Sequence, residues 1–261
     1  MYVERRGHGT PVLLLHGFGV DHRILLPLEE VFDGEPGWER IYPDLPGFGR
    51  TPGRADLNGS GDVVDELVRF IGAELGDQRF ALVGNSWGGM LARALASRMP
   101  QRVLGLCLLC PAIVAERGDR DLPPRTVLKE DRELMSSLPA TERELYQQEA
   151  VVESAGDWER FREFVLPGIL AADPAAAQRI EAAYGVRPGP GSGRYDGPTL
   201  LLTGRQDAIV GYRDAWRVLE DYPRATFAVL DAAGHNAPLE RPEVTGPLVA
   251  DWLRRVRAEE R

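Results

Sequence analysis

Apolar residues fall in short runs separated by amphipathic stretches. Pro11-Val12-Leu13-Leu14-Leu15-His16, Arg40-Ile41-Tyr42-Pro43-Asp44, Phe80-Ala81-Leu82-Val83, Leu104 to Cys110, Pro198 to Gly204 and Ala225 to Leu230 each have the length of a strand. Most lack the polar alternation of a half-exposed sheet, so they read as parallel strands covered on both faces. Tyr2-Val3-Glu4-Arg5 reads as a short outer strand, with His8 in the solvated turn after it. Between the runs lie helical patterns. From Asp62 to Leu75, Val63, Val64, Leu67, Val68, Ile71 and Leu75 share one stripe. A second helix runs from about Met90 to Met99 and ends before Pro100, and a third covers Pro242 to Val256. Strands alternating with helices predict an α/β fold with a mostly parallel central sheet flanked by helices.

The texture changes between about Ile113 and Arg194, where strand-like runs disappear. Thr141-x-x-Glu144 reads as a capping box opening a helix. Asp157 to Val165 places Trp158, Phe161 and Val165 on one helical face. Asp173-Pro174 reads as a cap followed by proline at the first helical position, with Ala176, Ile180 and Ala183 apolar behind it. The segment Arg187-Pro188-Gly189-Pro190-Gly191-Ser192-Gly193 is a linker by composition. These observations divide the chain into core residues 1–112, a helical insertion at 113–194, and core residues 195–261.

The chain has 261 residues, room for one large domain with an insertion, and its net charge of −9 excludes an electrostatic case for nucleic acid or an anionic membrane. The N-terminal residues lack the apolar stretch of a secretory signal, and no run approaches the ~18–20 apolar residues of a membrane span. A cytoplasmic protein acting on a small molecule, as a monomer or homodimer, is the expectation. Cys107 and Cys110 copy the spacing of a redox motif. On a strand, however, residues three apart face opposite ways, so the expectation is two buried thiols with no bridge or shared metal. The four histidines are scattered without ligand spacing, so no metal and no cofactor is expected.

The chemistry concentrates where apolar runs end. Phe80 to Val83 leads straight into Gly84-Asn85-Ser86-Trp87-Gly88-Gly89 and then a helix. Strand, Gly-x-Ser-x-Gly and helix together make a nucleophile elbow, a turn so tight that side chains at 84 and 88 would meet backbone. Ser86 then occupies a strained backbone conformation at a helix N-terminus. His16-Gly17-Phe18-Gly19 follows another strand. As a phosphate-binding fingerprint it is incomplete, because His22 stands where the third glycine belongs. As an oxyanion loop it would present the Phe18 N–H, paired with the Trp87 N–H. His16 would brace that loop, and His22 reads as a polar surface residue. Asp207 and His235 each lie just past a strand end, and the chain order Ser86, Asp207, His235 is that of a serine-nucleophile relay on this type of sheet. Asp231 and Asp214 compete for the acid's role, and strand-end position favours Asp207.

With these motifs, together with Asp44-Leu45-Pro46-Gly47-Phe48-Gly49-Arg50, Gly204-Arg205-Gln206-Asp207 and Gly234-His235, the chain resembles the α/β-hydrolase superfamily over nearly its whole length. The resemblance implies a serine hydrolase with residues 113–194 as its cap. Ser86 sets it apart from dehalogenases and epoxide hydrolases, which use an aspartate nucleophile. Its elbow is similar to that of C–C bond hydrolases of ring-cleavage products, although Asn236 follows His235 where that family usually has tryptophan. Ser86-Trp87-Gly88 is also similar to proline iminopeptidases, which bind an amino terminus with acidic cap residues. The reading that follows is a carboxylic ester or lactone hydrolase for a small, mostly apolar substrate, with Trp158, Phe161 and Asn236 as candidate pocket residues. A ligand-binding or non-hydrolytic pathway protein on the same fold is the rival from another class.

Overall fold

Among the described residues, six of seven strands run parallel and one edge strand runs antiparallel to its neighbour. The computed structural model describes residues 1–186 and 193–259. The strands are β1 (Val3–Gly7), β2 (Thr10–Leu15), β3 (Trp38–Pro43), β4 (Phe80–Asn85), β5 (Val103–Leu109), β6 (Thr199–Gly204) and β7 (Ala225–Leu230). Their order across the sheet is β1-β3-β2-β4-β5-β6-β7, with β1 antiparallel to β3. The middle strands are sequestered because helices cover them: every residue of β4, β5 and β6 is buried.

The helices are α1 (Glu29–Gly34), α2 (Ser60–Leu75), α3 (Trp87–Arg98), α4 (Arg132–Ser137), α5 (Ala140–Glu149), α6 (Ala155–Phe164), α7 (Leu166–Ala171), α8 (Pro174–Glu181), α9 (Arg213–Arg217), α10 (Ala237–Glu240) and α11 (Pro242–Ala258). Helices α1 and α11 pack together, as do α2 and α3. The approach of α11 to the sheet needs a gap at Gly105, where a Cβ would lie 2.2 Å from Val256 Cγ2. No helix among the described residues is long and apolar enough to cross a membrane.

The described residues between β5 and β6 contain α4 to α8 and no named strand. The helix starts there follow local chemistry. Asp173 accepts from the N–H groups of Ala175 and Ala176 ahead of Pro174, as the sequence suggests. Ser154 caps α6 by accepting from Asp157 N. The Thr141–Glu144 capping box does not form. Helix α5 has its cap two residues earlier, at Pro139, so Thr141 already lies inside the first turn and is exposed. The linker read at 187–193 lies outside the described residues except for Gly193.

Candidate active site

Strand register brings the site together. Leu15 of β2 pairs with Gly84 of β4, Gly84 pairs with Leu108 of β5, and Gly204 of β6 pairs with Leu230 of β7. The carboxyl ends of these strands therefore open on one crevice, and the loops leaving them carry the candidate groups.

The elbow has the expected strain. Ser86 sits at φ 53°, ψ −116°, a region that a side chain other than glycine seldom adopts. Its backbone is tied down on both sides: Ser86 N–H donates to Leu109 O at 2.9 Å, and Ser86 O accepts from Ala112 N–H at 2.9 Å and Gly89 N–H at 3.0 Å. The glycines are steric necessities, since a Cβ at Gly84 would lie 2.4 Å from Gly88 O, and one at Gly88 would lie 2.1 Å from Leu15 O. Trp87 opens α3, where a backbone N–H has no acceptor within the helix.

Three side chains from three loops form one hydrogen-bonded line. His235 Nε2 lies 2.8 Å from Ser86 Oγ, and His235 Nδ1 lies 2.9 Å from Asp207 Oδ2. Asp207 is completely buried, and its other oxygen accepts from Ile209 N–H at 2.8 Å and Val210 N–H at 3.0 Å. Burial alone would raise this carboxyl's pKa, but His235 and the two N–H donors hold it below the usual carboxylate range. Burial alone would likewise lower the imidazole, yet the charge and hydrogen bond of Asp207, joined by Glu149, leave the His235 pKa raised. The other two acids are occupied elsewhere. Asp231 is exposed and bonded to Gln206, while Asp214 pairs with Arg217 and accepts from Asp121 N–H.

The Gly17-Phe18 loop lies directly against the elbow. A Cβ at Gly17 would be 2.9 Å from Asn85 Oδ1 and 3.3 Å from Ser86 Cβ. His16 braces this loop, accepting from Leu45 N–H at Nε2 (2.9 Å), which leaves the proton on Nδ1 to donate to Gly17 O (2.7 Å). Fully buried, it is pushed toward the neutral form. Phe18 contacts Trp87 edge-on at 5.4 Å, Phe48 at 5.2 Å and Tyr184 at 5.5 Å, and the Trp87 indole N–H donates to Ser60 Oγ at 2.8 Å. Ser60 and Tyr184 carry no local signal that places them here, while Phe48 lies in the Asp44 to Arg50 motif.

The three candidate pocket residues have structural partners. Trp158 and Phe161 stack at 5.9 Å and both contact Tyr146 at 5.4 Å, forming the aromatic centre of the insertion. Asn236 donates its amide to Glu149 Oε2 at 2.5 Å. His22 is not on the surface. It is buried, with Nδ1 2.7 Å from Asp44 Oδ1 and Nε2 3.2 Å from Glu4 Oε2, because its turn folds back over the β1 edge. Asp21, His22 and Asp44 consequently stand together, a grouping that sequence spacing does not reveal. Hydrogen bonds account for it: Arg23 engages Asp21, while His22 and Arg50 N–H engage Asp44. Cys107 and Cys110 are free and buried.

Known proteins share this architecture. The alpha/beta hydrolase fold family model matches residues 10–242. A pimeloyl-[acyl-carrier protein] methyl ester esterase of Shewanella sp. (strain MR-7) is 28% identical over 263 residues, covering 97% of this chain and 94% of that protein. A 2-hydroxymuconate semialdehyde hydrolase of Pseudomonas sp. (strain CF600) is 29% identical over 269 residues, covering 95% of this chain and 88% of that one. The crystal structure of an alpha/beta superfamily hydrolase from Oenococcus oeni PSU-1 superposes with a TM-score of 0.89 at 25% identity, covering 98% of this chain and 96% of the other.

Proposed function

Because the chain belongs to the alpha/beta hydrolase fold family and is a hydrolytic enzyme of that fold, we propose that it cleaves a carboxylic ester or lactone of a small, mostly apolar substrate through an acyl-enzyme. The observation that carries this reading is the unbroken line from Ser86 Oγ through His235 to Asp207. A serine hydroxyl is a weak nucleophile at neutral pH. His235 Nε2 takes its proton as Oγ attacks the carbonyl carbon, then returns it to the departing alcohol. Water, deprotonated by the same imidazole, releases the acid and restores Ser86. Asp207 holds the tautomer with the proton on Nδ1 and stabilises the transient imidazolium. The oxyanion is held by the N–H groups of Phe18 and Trp87, each such donor typically worth ~10²–10³ in rate. The half-buried Phe18 ring, backed by the buried rings of Phe48 and Trp87 and packed against Tyr184, supports an apolar acyl or alcohol group. Residues 113–194 act as a cap, with Tyr184 reaching back to Phe18.

The base must be neutral to accept a proton. Since the His235 pKa is raised, kcat/KM should climb with pH through a midpoint above the ordinary histidine value of about 6.5, while Asp207 stays ionised throughout. Asp207→Asn should lower kcat by ~10⁴, because an amide no longer fixes the working tautomer. Asp231→Asn, altering an exposed acid, should stay within a few-fold of the parent. Equal losses in both would remove Asp207 from this role.

The substrate is tested with a graded panel of chromogenic esters, methyl esters of medium-chain acids, lactones, dienone acids and aminoacyl amides, run beside Ser86→Ala. Multiple turnovers fastest on esters or lactones support the reading. A preference for dienone acids transfers the site to C–C hydrolysis of ring-cleavage products, and a preference for aminoacyl amides makes it iminopeptidase-like. A single turnover with retained product points to a binder.

A further inference from the structure

The chain neighbours of His235 are bonded to two carboxyl groups that this chemistry does not use. On one side in the chain, Asn236 donates to Glu149 Oε2 at 2.5 Å. On the other, Gly234 N–H donates to Glu240 Oε2 at 2.6 Å. Glu149 is the last residue of α5, so the 113–194 segment delivers it to the His235 loop. The junction is close: a Cβ at Gly234 would lie 2.8 Å from Val151 Cγ2 and 3.2 Å from Glu149 O. A cavity of about 10 Å³, the size of one water, is bordered by both Glu149 and His235.

The two acids have different surroundings. Glu240 accepts the N–H groups of Gly234 and Val151, and burial pushes its carboxyl up to about 8, so it is mostly neutral at pH 7. Glu149 receives one amide and has no cationic side chain paired with it among the described residues. Burial raises its pKa too, while His235 and Asn236 pull back toward the ionised form and Asp207 opposes them. Around the imidazole stand Asp207 and Glu149, which favour its protonation, and Arg120, which disfavours it. Arg120 is tied to the carbonyls of Val114, Ala115 and Ile209. Asp157 adds its charge on the Glu240 side.

We propose that Glu149 is a positioning residue for the hydrolysis: through Asn236 it seats the His235 loop, and as a second carboxylate beside the imidazole it strengthens His235 as a base. The assignment rests on Ser86 and His235 being the reacting pair. It makes the 113–194 segment a contributor to base strength as well as a cover.

The test reads the imidazole directly. In the Ser86→Ala protein, NMR titration follows His235, one of four histidines, with and without Glu149→Gln. Loss of the carboxylate should lower the His235 midpoint by about half a unit or more. With Ser86 present, Glu149→Gln should move the acid limb of kcat/KM down by the same amount. A midpoint that stays put or rises, in a variant with unchanged circular dichroism, overturns the proposal, since a merely structural glutamate would leave the titration alone. Should Glu149→Gln fail to fold, Glu149→Leu is read in its place with the same two outcomes. If the parent protein hydrolyses no ester, the hydrolysis reading fails, yet the NMR midpoint still decides the role of Glu149.

Discussion

Ser86→Ala should lower kcat by ~10⁴-fold or more on the best ester, with the circular dichroism spectrum unchanged. Ser86 is 7% exposed and its hydroxyl lies 2.8 Å from His235 Nε2, so removing one oxygen deletes the nucleophile without opening a large cavity. His235→Ala should cost as much, because attack without proton removal gains little. The double variant is the sharper measurement. Nucleophile and base act in one event, so the pair together should lose no more than either alone. Losses that multiply would mean two independent contributions, and the shared step would fall.

A second large effect is expected on stability at Gly88→Ala. The added Cβ would lie 2.1 Å from Leu15 O and 2.6 Å from His16 O. Both are backbone atoms at the end of β2, so no rotamer change relieves the clash, and the elbow must move away from the oxyanion loop. A cost of about 3–5 kcal/mol in urea unfolding is expected, with activity lost even in the folded fraction. Gly72→Ala is the counterpart. It lies exposed within α2, where a Cβ meets nothing within 4 Å, and it should gain about 1 kcal/mol. If both glycines respond alike, steric crowding at 88 is not what keeps that position small.

The relation between chain and fold is uneven in an instructive way. The central strands are legible because burial on both faces leaves an unbroken apolar run. The elbow was legible because its strain demands glycine at fixed offsets from Ser86. Local reading misplaced the start of α5, where the Thr141 signal lost to a helix that begins at Ala140. It also placed His22 on the surface, since nothing near it in the chain announces Asp44 and Glu4 as partners.

Local signals in the chain suffice for the α/β alternation and its mostly parallel sheet, the position of Ser86 on a strand-to-helix turn, and the succession Ser86, Asp207, His235 past strand ends. Each of these is written in periodicity, glycine spacing or chain order, which act over a few residues. Long-range packing is what brings Asp207, and not Asp214 or Asp231, to the imidazole, closes Trp158 and Phe161 on Tyr146, and carries Glu149 to the side of His235. Those outcomes depend on where side chains point after distant segments have packed. A carboxylate's surroundings, its desolvation and its donors, exist only once the chain has closed around it.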